Sequence, residues 1–158
     1  RYRLRRELIA RMDDGTLRID AMSLVESKLD CLNVLIADDV ATNRMLVEAL
    51  VTRLGHRSVS VSNGAEAVER ARSGTFDLVL MDIDMPVMTG YLATRCIRSL
   101  VGESGKVPVF ALTSRTDVLS QEEAAIAGMS GFLSKPLRID GLARVIEEAR
   151  DNAQVAFG

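Results

Sequence analysis

Three aspartates, a threonine and a lysine stand at comparable places in this 158-residue chain. Asp38 and Asp39 follow Val34-Leu35-Ile36-Ala37, and Asp82 follows Leu78-Val79-Leu80-Met81. Thr113 ends an apolar run over residues 107–112, and Lys135 follows Gly131-Phe132-Leu133-Ser134. Taken singly, each has an ordinary role: Asp38-Asp39 or Thr113 as a helix cap, Asp82 as a turn residue, Lys135 as a solvated charge. Their shared position, each just past an apolar run, argues for convergence on one rim. Carboxylates crowded together repel, which raises the pKa of at least one unless a cation neutralises them. With a single histidine and no cysteine cluster, the donor set is all oxygen, which suits Mg²⁺. The matching chemistry is phosphoryl transfer. There an aspartate can be the nucleophile, a lysine ammonium a point charge for the transferred group, and a threonine hydroxyl a single hydrogen-bond donor to it.

Such residues need a scaffold, and the apolar pattern supplies one from Asn33 onward. The continuous runs at residues 34–37, 78–81 and 107–112 suit parallel strands buried on both faces. Ser58-Val59-Ser60-Val61 alternates like an edge strand, and residues 131–134 are short enough for the opposite edge. Between them, Met45, Ala49 and Leu50 mark a first helix, Ala67, Val68 and Ala71 a second, and Leu92, Cys96, Ile97 and Leu100 a third. Residues 116–127 are polar and alanine-rich, predicting a lightly buried fourth. Leu142, Val145, Ile146 and Ala149 give a clean amphipathic stripe for the fifth. Five strands alternating with five helices predict a doubly wound α/β domain, flavodoxin-like, with parallel strand order 2-1-3-4-5. Ligands of such sheets bind at the carboxyl ends of the strands, where the five residues stand. No glycine-rich phosphate loop follows the first strand.

Composition narrows the class further. With 47% apolar residues, 27% charged and a formal net charge of −2, the chain is globular and unlike a generic nucleic-acid binder. No apolar run reaches the roughly 18–20 residues that cross a bilayer, so no membrane contact by this chain is expected. Two cysteines, Cys31 and Cys96, are too few for a disulfide framework, and a cytoplasmic location is the default. Residues 33–150 are expected to form the domain, with residues 151–158 a tail. Residues 1–32, rich in arginine, are expected to be a linker or the end of a preceding domain. Since the chain does not begin with Met, it is read as a piece of a longer protein, whose parent could be anchored in the inner membrane.

Four stretches in order carry a family resemblance: Val34-Leu35-Ile36-Ala37-Asp38-Asp39, Leu80-Met81-Asp82-Ile83-Asp84-Met85-Pro86-Val87-Met88-Thr89-Gly90, Ala111-Leu112-Thr113-Ser114 and Phe132-Leu133-Ser134-Lys135-Pro136. They resemble the receiver domain of two-component signalling. The resemblance implies that Asp82 accepts a phosphoryl group from a phosphohistidine on a histidine kinase or histidine phosphotransfer domain. It implies that Asp39 and Asp82 bind Mg²⁺ directly, Asp38 mainly through water, and that the backbone carbonyl of Asp84 is a further ligand. Thr113 would follow the phosphoryl group, Lys135 would pair with it, and Phe132 would complete the switch. The face of the fourth helix, fifth strand and fifth helix would then change its affinity for a partner or a second copy of the chain. The bond before Pro136 is commonly cis in such domains. His56 is implied to be a surface turn residue, neither ligand nor phosphodonor.

Finer features, Asp39-Val-Ala-Thr-Asn43-Arg44, Leu54-Gly55-His56, Asn63-Gly64 and Gly128-Met129-Ser-Gly131-Phe132-Leu-Ser-Lys135-Pro136, look like receivers attached to hybrid sensor histidine kinases. A stand-alone regulator is the alternative. Three positions depart from the common pattern: Ser114 follows Thr113, Phe132 stands where Tyr is frequent, and Asp84 adds an acidic side chain near the site. The domain itself is expected to support only its own phosphorylation and dephosphorylation. Two other readings compete: a docking receiver that ignores phosphorylation, and a phosphatase of the aspartyl-phosphate class. The second is disfavoured because those enzymes carry Asp-x-Asp after the first strand, whereas here it follows the third.

Overall fold

Strands with apolar side chains at consecutive positions must be covered on both sides of their sheet, because successive residues point to opposite faces. The computed structural model, which describes residues 31–114 and 118–155, meets that need with helices on both sides. In chain order the elements are β1 (Asn33–Ala37), α1 (Ala41–Arg53), β2 (Arg57–Val61), α2 (Gly64–Ser73), β3 (Leu78–Asp82) and α3 (Gly90–Arg98). A 3₁₀ turn (Gly102–Lys106), β4 (Val109–Thr113), α4 (Val118–Ala127), β5 (Gly131–Ser134) and α5 (Ile139–Val155) complete it. All strand pairs are parallel, in the expected order β2-β1-β3-β4-β5. Residues 1–30, which hold most of the stretch read as a linker, lie outside the described residues.

Period-2 alternation divides the core in two. Leu35, Ala37, Val79, Met81, Val109 and Ala111 face one side and pack with residues of α2, α3 and α4, among them Ala67, Ala71, Ala93, Ile97 and Ala124. Val34, Ile36, Leu78, Leu80, Phe110 and Leu112 face the other and pack with α1 and α5 through Val47, Val51, Leu142, Val145, Ile146 and Ala149. All five residues of β3 and of β4 are buried, whereas β2 alternates and β5 buries only Leu133, as befits edges. Leu32, ahead of β1, is buried and its carbonyl accepts from Arg57 N–H, and α5 continues past Arg150 to Val155.

The α5 stripe is buried as predicted. In α1 the face differs from the expected one: Met45 is 67% exposed and Ala49 is also exposed, while Val47 and Val51 are buried. This helix is apolar at positions 45–47 and 49–51, so its pattern defines no unique stripe. Its seat against β1 and β2 makes the choice. In α3, likewise, Leu92 is half-exposed while Ala93, Thr94 and Ile97 are buried. Among the described side chains of α4 the buried ones are small, Ser120, Ala124 and Ala127, which matches light burial. No helix among the described residues is long and apolar enough to cross a membrane.

Candidate functional site

Register, not sequence proximity, gathers the chemistry. Ala37 pairs with Met81, so Asp38 and Asp82 occupy the next level of adjacent strands. Asp82 pairs with Leu112 and Thr113 with Ser134, which carries Thr113 and then Lys135 to the same carboxyl-end rim. Lys135 N–H donates to the Thr113 carbonyl at 2.8 Å, and the Lys135–Pro136 peptide is cis, as the resemblance implied.

Asp38 is fully buried, a position that a carboxylate tolerates only when paired and hydrogen-bonded. Its Oδ1 accepts from Val40 N–H at 2.9 Å. Asn43 Nδ2 lies 3.3 Å from each of its oxygens, and Lys135 Nζ is 2.8 Å from Oδ2. The Asp38 main-chain carbonyl accepts from Arg44 Nη1 at 2.6 Å. The same Lys135 Nζ is 2.9 Å from Oδ2 of Asp82, so one ammonium bridges two buried carboxylates. Burial pushes the Asp82 carboxyl above its ordinary pKa, with help from the Asp38 charge; Lys135 and the backbone N–H of Asp84 pull the other way without cancelling the effect. Burial disfavours the Lys135 ammonium too, but its hydrogen bonds and ion pairs with Asp38 and Asp82 outweigh that and hold its pKa above the usual lysine value.

Asp39 is exposed beside this pair. Asp38, Asp39 and Asp82 each offer a carboxylate oxygen, all within 4.8 Å of one another. Three hard oxygens so close fit a small divalent cation, and the exposure of Asp39 leaves room for its waters. The Asp84 side chain is exposed, while its backbone N–H donates to Asp82. Thr113 is buried at the end of β4. Phe132, opposite Ala111 in the register, is 43% exposed on the face away from buried Leu133. His56 sits at the far end of the sheet, ahead of β2, where Nδ1 accepts from Leu32 N–H at 3.2 Å. The structure thus brings Asp38, Asp39, Asp82 and Lys135 together, places Thr113 on the same rim, and leaves His56 remote.

The loop after β3 closes tightly over Asp82. Gly90 N–H donates to the Ile83 carbonyl at 2.9 Å, and Met88 N–H to the Pro86 carbonyl at 2.7 Å. A Cβ on Gly90 would stand 2.2 Å from the Asp82 carbonyl oxygen, so only glycine allows this return. The motif around Gly90 does not by itself reveal this reason. Nor does the sequence show what Asn43 does; its available signal is a carboxamide in the first turn of the helix that follows the paired aspartates.

Known proteins resemble this chain in sequence and in fold. The model of the response regulator receiver domain matches residues 34–147. Two-component response regulator 24 of Arabidopsis thaliana is 36% identical over 127 residues, covering 80% of this chain and 87% of that protein. Sensor histidine kinase AruS of Pseudomonas aeruginosa is 36% identical over 123 residues, which is 77% of this chain but 12% of the kinase. Among solved structures, the receiver domain of sensor histidine kinase PA1611 from Pseudomonas aeruginosa PAO1, with a magnesium ion coordinated in its active site cleft, superposes with a TM-score of 0.69 at 35% identity. That match covers 75% of this chain and 96% of the other. The co-crystal structure of the Saccharomyces cerevisiae histidine phosphotransfer protein Ypd1 with the receiver domain of its downstream response regulator Ssk1 gives a TM-score of 0.68 at 26% identity, over 75% of this chain and 88% of that one.

Proposed function

This chain belongs to the response regulator receiver domain family, and from that membership and the rim geometry we propose that Asp82 is its phosphoacceptor in a Mg²⁺-dependent phosphorelay. The observation that carries the reading is the single Lys135 ammonium spanning buried Asp38 and Asp82, with Asp39 open beside them. An Asp82 carboxylate oxygen attacks the phosphorus of a phosphohistidine. The P–O bond forms as the P–N bond breaks, and the ring, already protonated on its other nitrogen, leaves as neutral imidazole. Lys135, already at hydrogen-bond distance from Asp82, pairs with the incoming oxygens, and Thr113 donates to another. Asp39, Asp82 and the Asp84 carbonyl would hold Mg²⁺, with Asp38 acting mainly through water, and the ion would supply charge neutralisation for the transferred group.

Phosphorylation places roughly −1.5 to −2 charge at Asp82, and Thr113 and Lys135 are drawn toward it. Phe132, half-exposed with no hydroxyl to hold it, is free to follow. Exposed Ile126 on α4 and Phe132 on β5 make this edge apolar, which suits a partner or a homodimer through α4, β5 and α5. The phosphodonor is a histidine kinase or a phosphotransfer domain such as Ypd1, which binds the Ssk1 receiver. Exposed Met45 and Leu46 on α1 leave apolar surface near the rim for it. The match to a stretch that is 12% of the kinase AruS supports a hybrid kinase as the parent; a cytoplasmic location and a linker role for residues 1–30 belong to the same reading, since Leu32 already packs in the domain core. The 87% coverage of the Arabidopsis regulator supports a stand-alone regulator as the second reading.

Acetyl phosphate with Mg²⁺, followed by a Phos-tag gel, tests the central claim. A slower band is expected for the unmodified protein and none for Asp82→Asn. A shift that persists in Asp82→Asn would place the phosphoryl group elsewhere.

A further inference from the structure

Asp38 is the most enclosed polar residue of the rim, and its hydrogen bonds can be counted. An ionised carboxylate offers about four lone-pair sites. Val40 N–H donates to Oδ1 and Lys135 to Oδ2, and one Asn43 N–H lies between the two oxygens and is shared by both. Three donor groups thus hold Asp38 in place, whereas Asp39 beside it is exposed. Asn43 alone among the partners touches both oxygens, so it fixes the plane of the carboxylate, while Arg44 in the same helical turn fixes its main chain.

We propose that Asn43 is a positioning residue for the Mg²⁺ site, bridging both oxygens of Asp38 so that this carboxylate keeps its plane and its pairing with Lys135 beside Asp39 and Asp82. The inference rests on the reading of the acidic rim as the Mg²⁺ site. Groups that orient ligands from behind typically contribute 10–100-fold to metal affinity. Without the amide, Asp38 can rotate toward Lys135, and the site must be re-ordered each time an ion binds.

Calorimetric titration with MgCl₂ alone separates the claims. Asn43→Ala, verified as folded by circular dichroism, is expected to bind Mg²⁺ about tenfold more weakly than the unmodified protein. Asn43→Gln, which keeps a donor amide, is expected to lose less. Equal or tighter binding by Asn43→Ala, or equal losses in both variants, would overturn the role of Asn43 and leave the phosphoacceptor reading standing. Absence of Mg²⁺ binding by the unmodified protein would instead remove the reading on which the inference rests. Should Asn43→Ala not fold, ¹H–¹⁵N spectra of the unmodified protein decide. The Asn43 side-chain NH₂ pair is expected to shift with the Mg²⁺ binding midpoint, and an unmoved pair would overturn the inference.

Discussion

At Asp82, burial and the Asp38 charge oppose ionisation, and Lys135 only partly compensates. The folded-state pKa therefore lies above the unfolded value, so the stabilisation linked to this group is fully present below the ordinary range of about 4 and is lost as pH rises through the folded value. In EDTA, Asp82→Asn is expected to be more stable than the unmodified protein at pH 7, with the difference shrinking toward pH 4. Urea midpoints at several pH values check this; an unmodified protein that is the more stable at pH 7 contradicts it. Val87 is the other residue held against its preference, with φ of 68° on a β-branched side chain that is 85% exposed. Asn tolerates that conformation and no burial is lost. Val87→Asn should gain about 1 kcal/mol in urea unfolding, and a loss would show that the side chain contributes something the backbone does not reveal. The sequence marked Asp38, Asp39, Asp82, Thr113 and Lys135 because each follows an apolar run. It could not show why Gly90 is required, since that depends on a contact with the Asp82 backbone.

Elements are legible where their apolar pattern has one solution and illegible where it has several. The α5 stripe of Leu142, Val145, Ile146 and Ala149 allows a single buried face, and that face is buried. The α1 pattern allows more than one, and packing against β1 and β2 selects Val47 and Val51. Charged residues that join elements are harder still to foresee. Arg98, the last residue of α3, donates from Nε to Gly128 O at 2.8 Å and from Nη1 to Gly105 O at 3.1 Å and Val107 O at 2.7 Å. One guanidinium thus links α3 to the 3₁₀ turn, the entry to β4 and the end of α4, and burial lowers its pKa from the usual arginine value. Arg98→Met keeps the apolar stem but leaves three carbonyls without this donor. A loss of about 2–3 kcal/mol is expected in chemical denaturation, and a change under 1 kcal/mol would mean that water replaces the guanidinium freely.

For the whole molecule, the site and the fold are coupled by mass action. Beryllofluoride with Mg²⁺ mimics the phosphoryl group, and any ligand that binds only the folded state stabilises it, by about 2.7 kcal/mol at 100 times its Kd. The melting temperature should therefore rise with beryllofluoride and Mg²⁺ together, return to baseline with EDTA, and stay flat in Asp82→Asn. A comparable rise in Asp82→Asn would detach the effect from the rim. The fold as a whole was readable because alternation and helical spacing are local, and right-handed crossover between parallel strands leaves few arrangements. The five rim residues were readable for the same reason, since strand ends of a doubly wound sheet share one edge. What only the tertiary structure decided lies between side chains far apart in the chain. Lys135 bridging Asp38 and Asp82, and the exposed face of α1, depend on register and packing, because hydrogen-bond partners are chosen by distance in space and burial by what lies above each residue.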